Sequence, residues 1–291
     1  MFLTRNRLGY ILIAPSVALV CSILLYPLIK TIIFSFSRIK GLEVSFYGFG
    51  NYLKIFTDPE FYQAFGRTLY YTGLSVCIQL VLGLLIAILV NRKGKFLDLV
   101  RTFLLIPWAT AFAIAGILWK YMLNPVFGII TLISNNVLLS LHIIKEPVNW
   151  VMNFPMETVI LIDIWLSTPF VILFCLAGLQ AIPQEILEAA KIDGANSFHR
   201  LRSIILPLLK PTLLVVLLFR TIGALRIFDI PWALSGGEVT SNLEVTSIHA
   251  YRYMFSYLQF DRGSAETVIL IAISITLCYF FIKIILKDLE S

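Results

Sequence analysis

The chain has 291 residues, of which 59% are hydrophobic and only 14% are charged, and its mean hydropathy is +0.88. A soluble domain typically carries about 25% charged residues, so this composition excludes an ordinary soluble protein and indicates a chain that faces lipid. The net charge of +6 does not indicate nucleic-acid binding, because the lysines and arginines stand in short runs beside apolar segments, which is the pattern that sets membrane topology.

Six apolar stretches are long enough to cross a bilayer, which takes about 20 mainly apolar residues. Uninterrupted runs such as Val81–Val90 lack the alternation that marks a transmembrane β-barrel, so helices are favoured. The sequence therefore predicts an all-α integral membrane protein with about six spans, forming a single transmembrane domain over residues 1–291. The predicted spans are Leu8–Phe36, Thr68–Val90, Thr102–Met122, Glu157–Gln180, Leu208–Ile230 and Ser264–Leu286.

The basic residues predict the side of the membrane that each segment faces, because cytoplasmic segments are enriched in lysine and arginine. With the N-terminus in the cytoplasm, twelve basic residues fall in the shorter inside segments and eight in the longer outside segments. Both termini are therefore expected in the cytoplasm. The inside residues are Arg5, Arg7, Arg92, Lys93, Lys95, Arg101, Lys191, Arg200, Arg202, Lys210, Lys283 and Lys287, and the outside residues are Arg38, Lys40, Lys54, Arg67, Lys120, Lys145, Arg252 and Arg262.

The sequence holds no recognisable motif for catalysis or nucleotide binding. The stretch Lys93-Gly-Lys-Phe96 lacks the first glycine and the hydroxyl residue of a phosphate-binding loop. The four cysteines lie inside apolar stretches without paired spacing, which is typical of small core residues. We therefore expect no catalytic residue, no metal site and no cofactor within this chain.

The loop between the fourth and fifth predicted spans, residues 181–207, is the most informative segment. Pro183 is typical of a first helical position, with Glu185 in the first turn, where the helix dipole favours an acidic residue. The pair Asp193-Gly194 then predicts a break at which glycine adopts the left-handed conformation.

A second short helix is expected from Ser197 to Ile205, ended by Pro207. The small residues near the corner would let another backbone approach closely, which favours a docking surface for a second protein. Arg200 and Arg202 would equally suit a helix that lies on the lipid surface. The shape of the loop alone leaves both interpretations open.

Three motifs, spread over 20 residues of the loop, favour the protein-docking interpretation because they resemble a known family. Glu188-Ala-Ala190, Asp193-Gly-Ala195 and Leu206-Pro207 resemble the EAA loop of permease subunits in bacterial binding-protein-dependent ABC importers. One residue departs from that pattern, because Leu201 stands where such loops usually carry phenylalanine.

Motifs along nearly the whole chain are similar to the first of the two permease subunits in carbohydrate importers of the maltose type. They are Asn6-Arg-Leu-Gly-Tyr-Ile-Leu-Ile-Ala-Pro15, Tyr26-Pro27, Gly48-Phe-Gly-Asn-Tyr-Leu53, Asp58-Pro-Glu-Phe61, Leu105-Ile-Pro107, Gly236-Gly237 and Phe260-Asp-Arg-Gly-Ser-Ala265.

The resemblance implies the type I permease fold of ABC importers, in the cytoplasmic membrane of a bacterium. It implies a heterodimer with a second permease subunit, two ATPase subunits that bind ATP and Mg, and an extracytoplasmic solute-binding protein that delivers a sugar or oligosaccharide. It also implies that residues 181–207 couple the chain to the ATPases. The implied coupling residues are Glu188, Ala189, Ala190, Asp193, Gly194, Ala195 and Pro207.

Polar residues within the predicted spans are candidates for the solute path. They are Gln79, Asp163, Arg220 and Arg226. Each has an alternative role in pairing one helix with another, and Arg226 stands three residues before Asp229, at the spacing of a helical ion pair. The sequence leaves both roles open.

Sugar binding requires aromatic rings beside hydrogen-bonding groups. Trp108 and Phe112 follow Pro107 at the i,i+4 spacing of a shared helix face, and Ser167 and Phe170 flank Pro169. Alignment by the surrounding motifs implies that the sugar-contacting positions are Trp108, Phe112, Leu166, Ser167, Phe170, Phe219, Gly223 and Arg226.

The last three of these positions are polar side chains in the maltose-type subunit, so maltose itself is not implied. An arginine at position 226 could instead favour an anionic solute such as glycerol phosphate, and a permease of the same superfamily for a peptide is a further alternative. A secondary transporter would require intramembrane carboxylates for coupling, and only Asp163 and Asp229 are available.

Overall fold

The computed structural model describes residues 2–41, 43–92, 94–238 and 242–290. Lys93 and the side chains of Arg5 and Arg7, which the sequence assigns to the cytoplasmic side, lie outside the described part. The structure is almost entirely helical, as predicted, with one short β-hairpin that the sequence did not indicate.

The first half of the chain contains the hairpin and the helices α1 to α8. They are α1 Phe2–Val20, α2 Tyr26–Ser35, β1 Ser37–Lys40, β2 Glu43–Phe46, α3 Gly50–Phe56, α4 Pro59–Val90, α5 Lys95–Leu105, α6 Phe112–Met122, α7 Ile129–Ser140 and α8 Trp150–Asn153. A π-helical turn at Cys21–Leu25 joins α1 to α2, and a 3₁₀ turn at Pro107–Ala109 follows α5.

The described residues of the second half form seven further helices. They are α9 Pro155–Gln180, α10 Gln184–Ile192, α11 Ser197–Arg200, α12 Leu206–Leu225, α13 Asp229–Ser235, α14 Thr246–Tyr251 and α15 Phe260–Glu290. π-helical turns at Leu201–Ile205 and Arg252–Ser256 follow α11 and α14.

Within the described residues, five helical stretches are long and apolar enough to cross a membrane, and a sixth is a bent pair. The number of spans therefore agrees with the predicted six, although several boundaries move. The first five stretches are Leu12–Ser35, Pro59–Val90, Pro155–Gln180, Ser197–Ser235 and Phe260–Lys287. The second span begins nine residues before its predicted start at Thr68, because Pro59 opens the helix and the Asp58 carboxylate accepts a hydrogen bond from the Glu60 amide at 2.9 Å.

The third predicted span, Thr102–Met122, is not one straight helix. Its two halves, Lys95–Ala109 and Phe112–Met122, meet at 95°. The break lies just after the 3₁₀ turn that Pro107 begins, where Thr110 and Ala111 have extended backbone angles. Proline lacks an amide hydrogen and cannot continue the hydrogen-bond ladder of α5. The prediction that Trp108 and Phe112 share one helix face is therefore wrong, since the bend separates them.

The chain divides into two compact units, each with its own core. One unit comprises Met1–Tyr62 and His249–Ala272. Within it, Ile55, Phe61 and Ala265 form a small core, and the Asn51 amide donates to the carbonyl oxygens of Ser35 and Ser37 at 3.0 and 2.7 Å.

That unit also holds a buried network of charged and polar side chains. Arg262 pairs with Asp58 and lies over the Tyr253 ring, 3.9 Å from its centroid. His249 Nδ1 and Glu266 Oε2 lie 2.7 Å apart, and neither side chain is exposed. Burial among these groups raises the pKa of Tyr253.

The other unit, Gln63–Ile248 with Ile273–Ser291, contains the larger cores. Its helices approach closely at glycines: a Cβ built at Gly83 would lie 2.5 Å from Val171, and one at Gly178 would lie 2.8 Å from Leu209. Gly116 similarly lets α6 pack against α13, because a Cβ there would lie 2.7 Å from Ala233.

Gly116→Val is expected to lower the free energy of unfolding by about 1–3 kcal/mol, because the added side chain must push α13 away from α6. Gly73→Val is the matched control, since Gly73 is an exposed helical glycine with no atom within 4 Å of the added Cβ. Thermal unfolding of the purified full chain in detergent measures both variants. Equal midpoints would show that the contact between α6 and α13 is not close-packed.

Candidate functional site

The loop between α9 and α12 folds as a corner of two helices, as the sequence predicts. Helix α10 ends at Ile192 with Asp193 as its C-cap, and Gly194 has a φ of +79°, in the left-handed region that favours glycine. The Ala195 amide donates to the Ala190 carbonyl at 2.9 Å, which closes the end of α10.

We call this segment, residues 184–205, the helical corner. Its second helix has an N-terminal cap of its own. The Asn196 side chain accepts a hydrogen bond from the His199 amide at 2.8 Å. Arg200 Nη1 donates to the Ala195 carbonyl at 2.7 Å, so this arginine braces the turn instead of lying free for lipid. The Asn196 cap was missed, although asparagine before a helix is a common capping signal.

Two details differ from the prediction. Pro183 precedes α10 as its cap instead of occupying the first helical position. Pro207 does not end the second helix, because the π-helical turn at Leu201–Ile205 leads directly into α12 and the proline stands in the first turn of that helix. A proline is tolerated there, since the first amides of a helix need no helical acceptor.

The helical corner presents an open surface. Four of the predicted coupling residues are exposed: Glu188, Ala189, Asp193 and Gly194. Ala190 is buried, with an exposed fraction of 7%. Ile192 and Phe198 are 87% and 69% exposed, and a hollow of about 390 Å³ lies at the turn. Large apolar side chains exposed beside such a hollow are typical of a contact surface for another molecule.

A second feature is a buried polar cluster between α4, α9 and α12, all within one compact unit. Its centre is Asp163, which is fully buried. Asp163 accepts hydrogen bonds from Ser75 at 2.5 Å, from Gln79 at 2.9 Å and from Ser167 at 2.7 Å. Ser75 was not predicted, although it stands one helical turn before Gln79.

Arg220 completes this cluster from α12. Its Nη2 lies 2.9 and 3.1 Å from the two carboxylate oxygens of Asp163, and its Nε donates to Gln79 Oε1 at 2.7 Å. Of the two roles left open for these residues, the structure supports helix pairing for Gln79, Asp163 and Arg220. The lipid interior offers no hydrogen-bond partner to a polar side chain, so these residues supply one another with hydrogen bonds and a counter-ion.

The predicted solute-contacting positions separate into two groups. Leu166 and Ser167 are buried, with exposed fractions of 0% and 1%, and the Ser167 hydroxyl donates to Asp163. Neither side chain therefore faces an open path in this structure. They lie on the side of α9 that packs into the core of the unit.

Three of the four predicted aromatic positions, Trp108, Phe170 and Phe219, come together. The ring centroids of Trp108 and Phe170 lie 6.1 Å apart, and those of Phe170 and Phe219 lie 6.4 Å apart. Trp108 and Phe219 are 48% and 57% exposed. Aromatic rings at this spacing, with exposed faces and edges, can contact a flat apolar surface such as the C–H face of a sugar ring.

Gly223 and Arg226 share the exposed face of α12 with Phe219, at i+4 and i+7. The suggested ion pair between Arg226 and Asp229 is absent among the described residues, and both side chains are exposed. Helix α12 ends at Leu225 with Arg226 as its C-cap, and α13 begins at Asp229, so the two residues do not share the helix that their spacing requires.

The long apolar helices define a polytopic membrane protein, with a buried ion pair in its core and an exposed helical corner. The family of the "Binding-protein-dependent transport system inner membrane component" matches residues 79–290. The chain belongs to this family.

Curated relatives match over nearly the whole chain. The trehalose/maltose transport system permease protein MalF of Thermococcus litoralis is 35% identical over 96% of this chain and 93% of its own length. The sulfoquinovosyl glycerol transport system permease protein SmoG of Agrobacterium fabrum is 34% identical over 96% of this chain and 90% of its own. The trehalose transport system permease protein SugA of Mycobacterium tuberculosis is 33% identical over 97% and 90%.

The same fold occurs in a bacterial ABC transporter involved in the import of the acidic polysaccharide alginate. One of its chains superposes with a TM-score of 0.83 and 22% identity, over 98% of this chain and 96% of that one. A chain of the MetNI methionine ABC transporter superposes with a TM-score of 0.58 and 17% identity, over 79% and 96%. The predicted ABC importer permease fold is thereby confirmed.

Asp163→Asn is expected to lower the free energy of unfolding by about 3–5 kcal/mol, because it leaves the Arg220 charge without a counter-ion inside the unit. Asp98→Asn is the control, since Asp98 pairs with Arg101 at 2.7 Å but is 64% exposed. Such an exposed ion pair stabilises the fold by at most about 1 kcal/mol. Chemical unfolding of the full chain in mixed micelles compares them. A similar loss in both variants would contradict the importance of the buried cluster.

Proposed function

We propose that this chain is a permease subunit of an ATP-driven importer and forms the translocation path for a sugar or oligosaccharide. The observation that carries the proposal is the similarity to sugar permeases at 33–35% identity over nearly the whole chain. The proposed assembly contains a second permease subunit, two ATPase subunits and an extracytoplasmic solute-binding protein. ATP and Mg would be held by the ATPases, and this chain would hydrolyse no ATP.

The proposed orientation places both termini in the cytoplasm of a bacterium, on the side of the helical corner. The excess of basic residues in the corresponding segments supports this orientation.

The helical corner is the proposed contact with an ATPase subunit. Its left-handed glycine, its capped second helix and the internally bonded Arg200 give it a defined shape. The exposed Ile192 and Phe198 supply the apolar surface that a protein cleft would cover. Movement of the ATPases would shift this corner and thereby switch the path between its inward-open and outward-open states.

Gly194→Leu is expected to weaken ATPase binding or to uncouple ATP hydrolysis from transport. A left-handed conformation costs a residue with a side chain roughly 1–2 kcal/mol, and the leucine would project into the contact surface. No atom lies within 4 Å of the added Cβ, so the spans remain folded. Co-purification of the ATPases and ATP turnover in proteoliposomes measure the two effects.

Gly94→Leu is the matched control, because Gly94 has extended backbone, open surroundings and a place in another predicted cytoplasmic segment. Gly194→Asn separates the two causes, since asparagine tolerates the left-handed region but still adds bulk. If Gly194→Leu binds ATPases and couples hydrolysis like the unaltered chain, the corner is a lipid-surface element, which added leucine would strengthen.

The aromatic cluster of Trp108, Phe170 and Phe219 is the proposed solute contact, together with the exposed α12 face. Rings offer apolar surface to the C–H faces of a sugar, while its hydroxyl groups require hydrogen-bond partners nearby. Phe112, Gly223 and Arg226 complete the proposed set, whereas the buried Leu166 and Ser167 support it from behind.

Trp108→Ala and Phe170→Ala are each expected to reduce sugar uptake by about tenfold, because each removes a ring contact worth roughly 1–2 kcal/mol. Phe280→Ala is the control, as Phe280 is 59% exposed on the terminal helix α15 and far along the chain from the cluster. Uptake of labelled trehalose by the reconstituted importer is the measurement. Unchanged uptake in both variants would place the solute path elsewhere.

An anionic solute is the second candidate. The guanidinium of Arg226 is exposed at the end of α12 and forms no ion pair within the described residues, which favours a carboxylate or phosphate. Running the same uptake assay with glycerol phosphate decides between the candidates.

A further inference from the structure

Arg220 uses only part of its hydrogen-bonding capacity in the buried cluster. Its Nε and Nη2 are bonded to Gln79 and Asp163. Within the described residues, Nη1 makes no hydrogen bond, and 11% of the side chain remains exposed. A guanidinium carries five N–H donors in a fixed plane, so the position of Nη1 is set by the bonds on the other two nitrogens.

Gly223 leaves an opening at this nitrogen. It lies three residues after Arg220, on the exposed face of α12, and has no side chain to cover the guanidinium. A Cβ built at Gly223 would lie 3.9 Å from Arg220 Nη1 and would contact no other atom within 4 Å. The backbone at Gly223 is helical, so conformational freedom does not require a glycine there.

We propose that Arg220 Nη1 donates a hydrogen bond, through the opening at Gly223, to an oxygen of the transported solute. This inference rests on the proposed function and adds one binding residue to it. The role differs from helix pairing alone, because the same side chain would hold Asp163 with one edge and the solute with the other.

The charge of the cluster identifies the kind of oxygen that suits this site. Asp163 neutralises Arg220 at 2.9 Å, so the pair offers a donor without net charge. An anion gains little from a neutral pair, whereas a hydroxyl or ring oxygen requires only the donor. The ligand class is therefore a neutral polyhydroxylated solute, bound beside the ring of Phe219.

The test uses the complete importer in proteoliposomes, with labelled trehalose as the probe and uptake measured over a range of concentrations. Gly223→Ala should raise the apparent KM about five- to tenfold, the effect of one lost hydrogen bond. Gly73→Ala, at an exposed helical glycine with open surroundings, should leave the KM unchanged. Arg220→Lys keeps a cation beside Asp163 but loses Nη1, and should raise the KM by a similar factor.

The double variant distinguishes this contact from simple blockage of the path. If both changes remove the same hydrogen bond, Gly223→Ala causes no further rise in KM when it is added to Arg220→Lys. Multiplying effects, or an unchanged KM in Gly223→Ala, would overturn the inference while leaving the proposed function intact. Failure of the unaltered importer to take up trehalose, maltose or lactose would overturn the proposed function and this inference together.

Discussion

The buried carboxylate of Asp163 is the point on which the transmembrane packing of the larger unit depends. Inside a bilayer no water is available for a polar group, so each one must find its partner within the protein. Asp163 has donors from α4, from α12 and from its own helix, and these fix the rotation of three helices about their axes. A helix that rotated would leave a charge unpaired.

The exposed aromatic groups of the proposed solute contact depend on that fixed rotation. Phe219 is adjacent to Arg220 in α12, and Phe170 follows Ser167 by one turn of α9. The bonds of Arg220 and Ser167 to one carboxylate therefore also set the 6.4 Å separation of the two rings. The buried cluster and the proposed solute-contact surface are in this sense one structure, with polar contacts inside and aromatic contacts outside.

Much of this arrangement could be predicted from the sequence, because spans and caps leave local signals. Apolar length identified the spans, and the Asp193-Gly194 pair located the turn of the helical corner. The bend after Pro107 was missed, since a proline within an apolar run indicates a weak point but not whether the helix bends or continues. Pro169 shows the other outcome, because α9 continues through it.

The inward direction of Leu166 and Ser167 could not be predicted either. A helix that is apolar on all sides carries no periodic signal for its buried face, and α9 is such a helix. Only the position of Asp163, which must face its partners, indicates that face, and those partners lie far away in the sequence.

The continuous helix from Ser197 through Leu225 has a mechanical consequence. The π-helical turn, Pro207 and Pro211 do not interrupt it, so the second helix of the corner and the opening at Gly223 lie on one continuous helical rod. The rod between them is roughly 40 Å long at 1.5 Å per residue. Pivoting such a lever by about 5° at the corner displaces its far end by about 3.5 Å, which is slightly more than the length of a hydrogen bond.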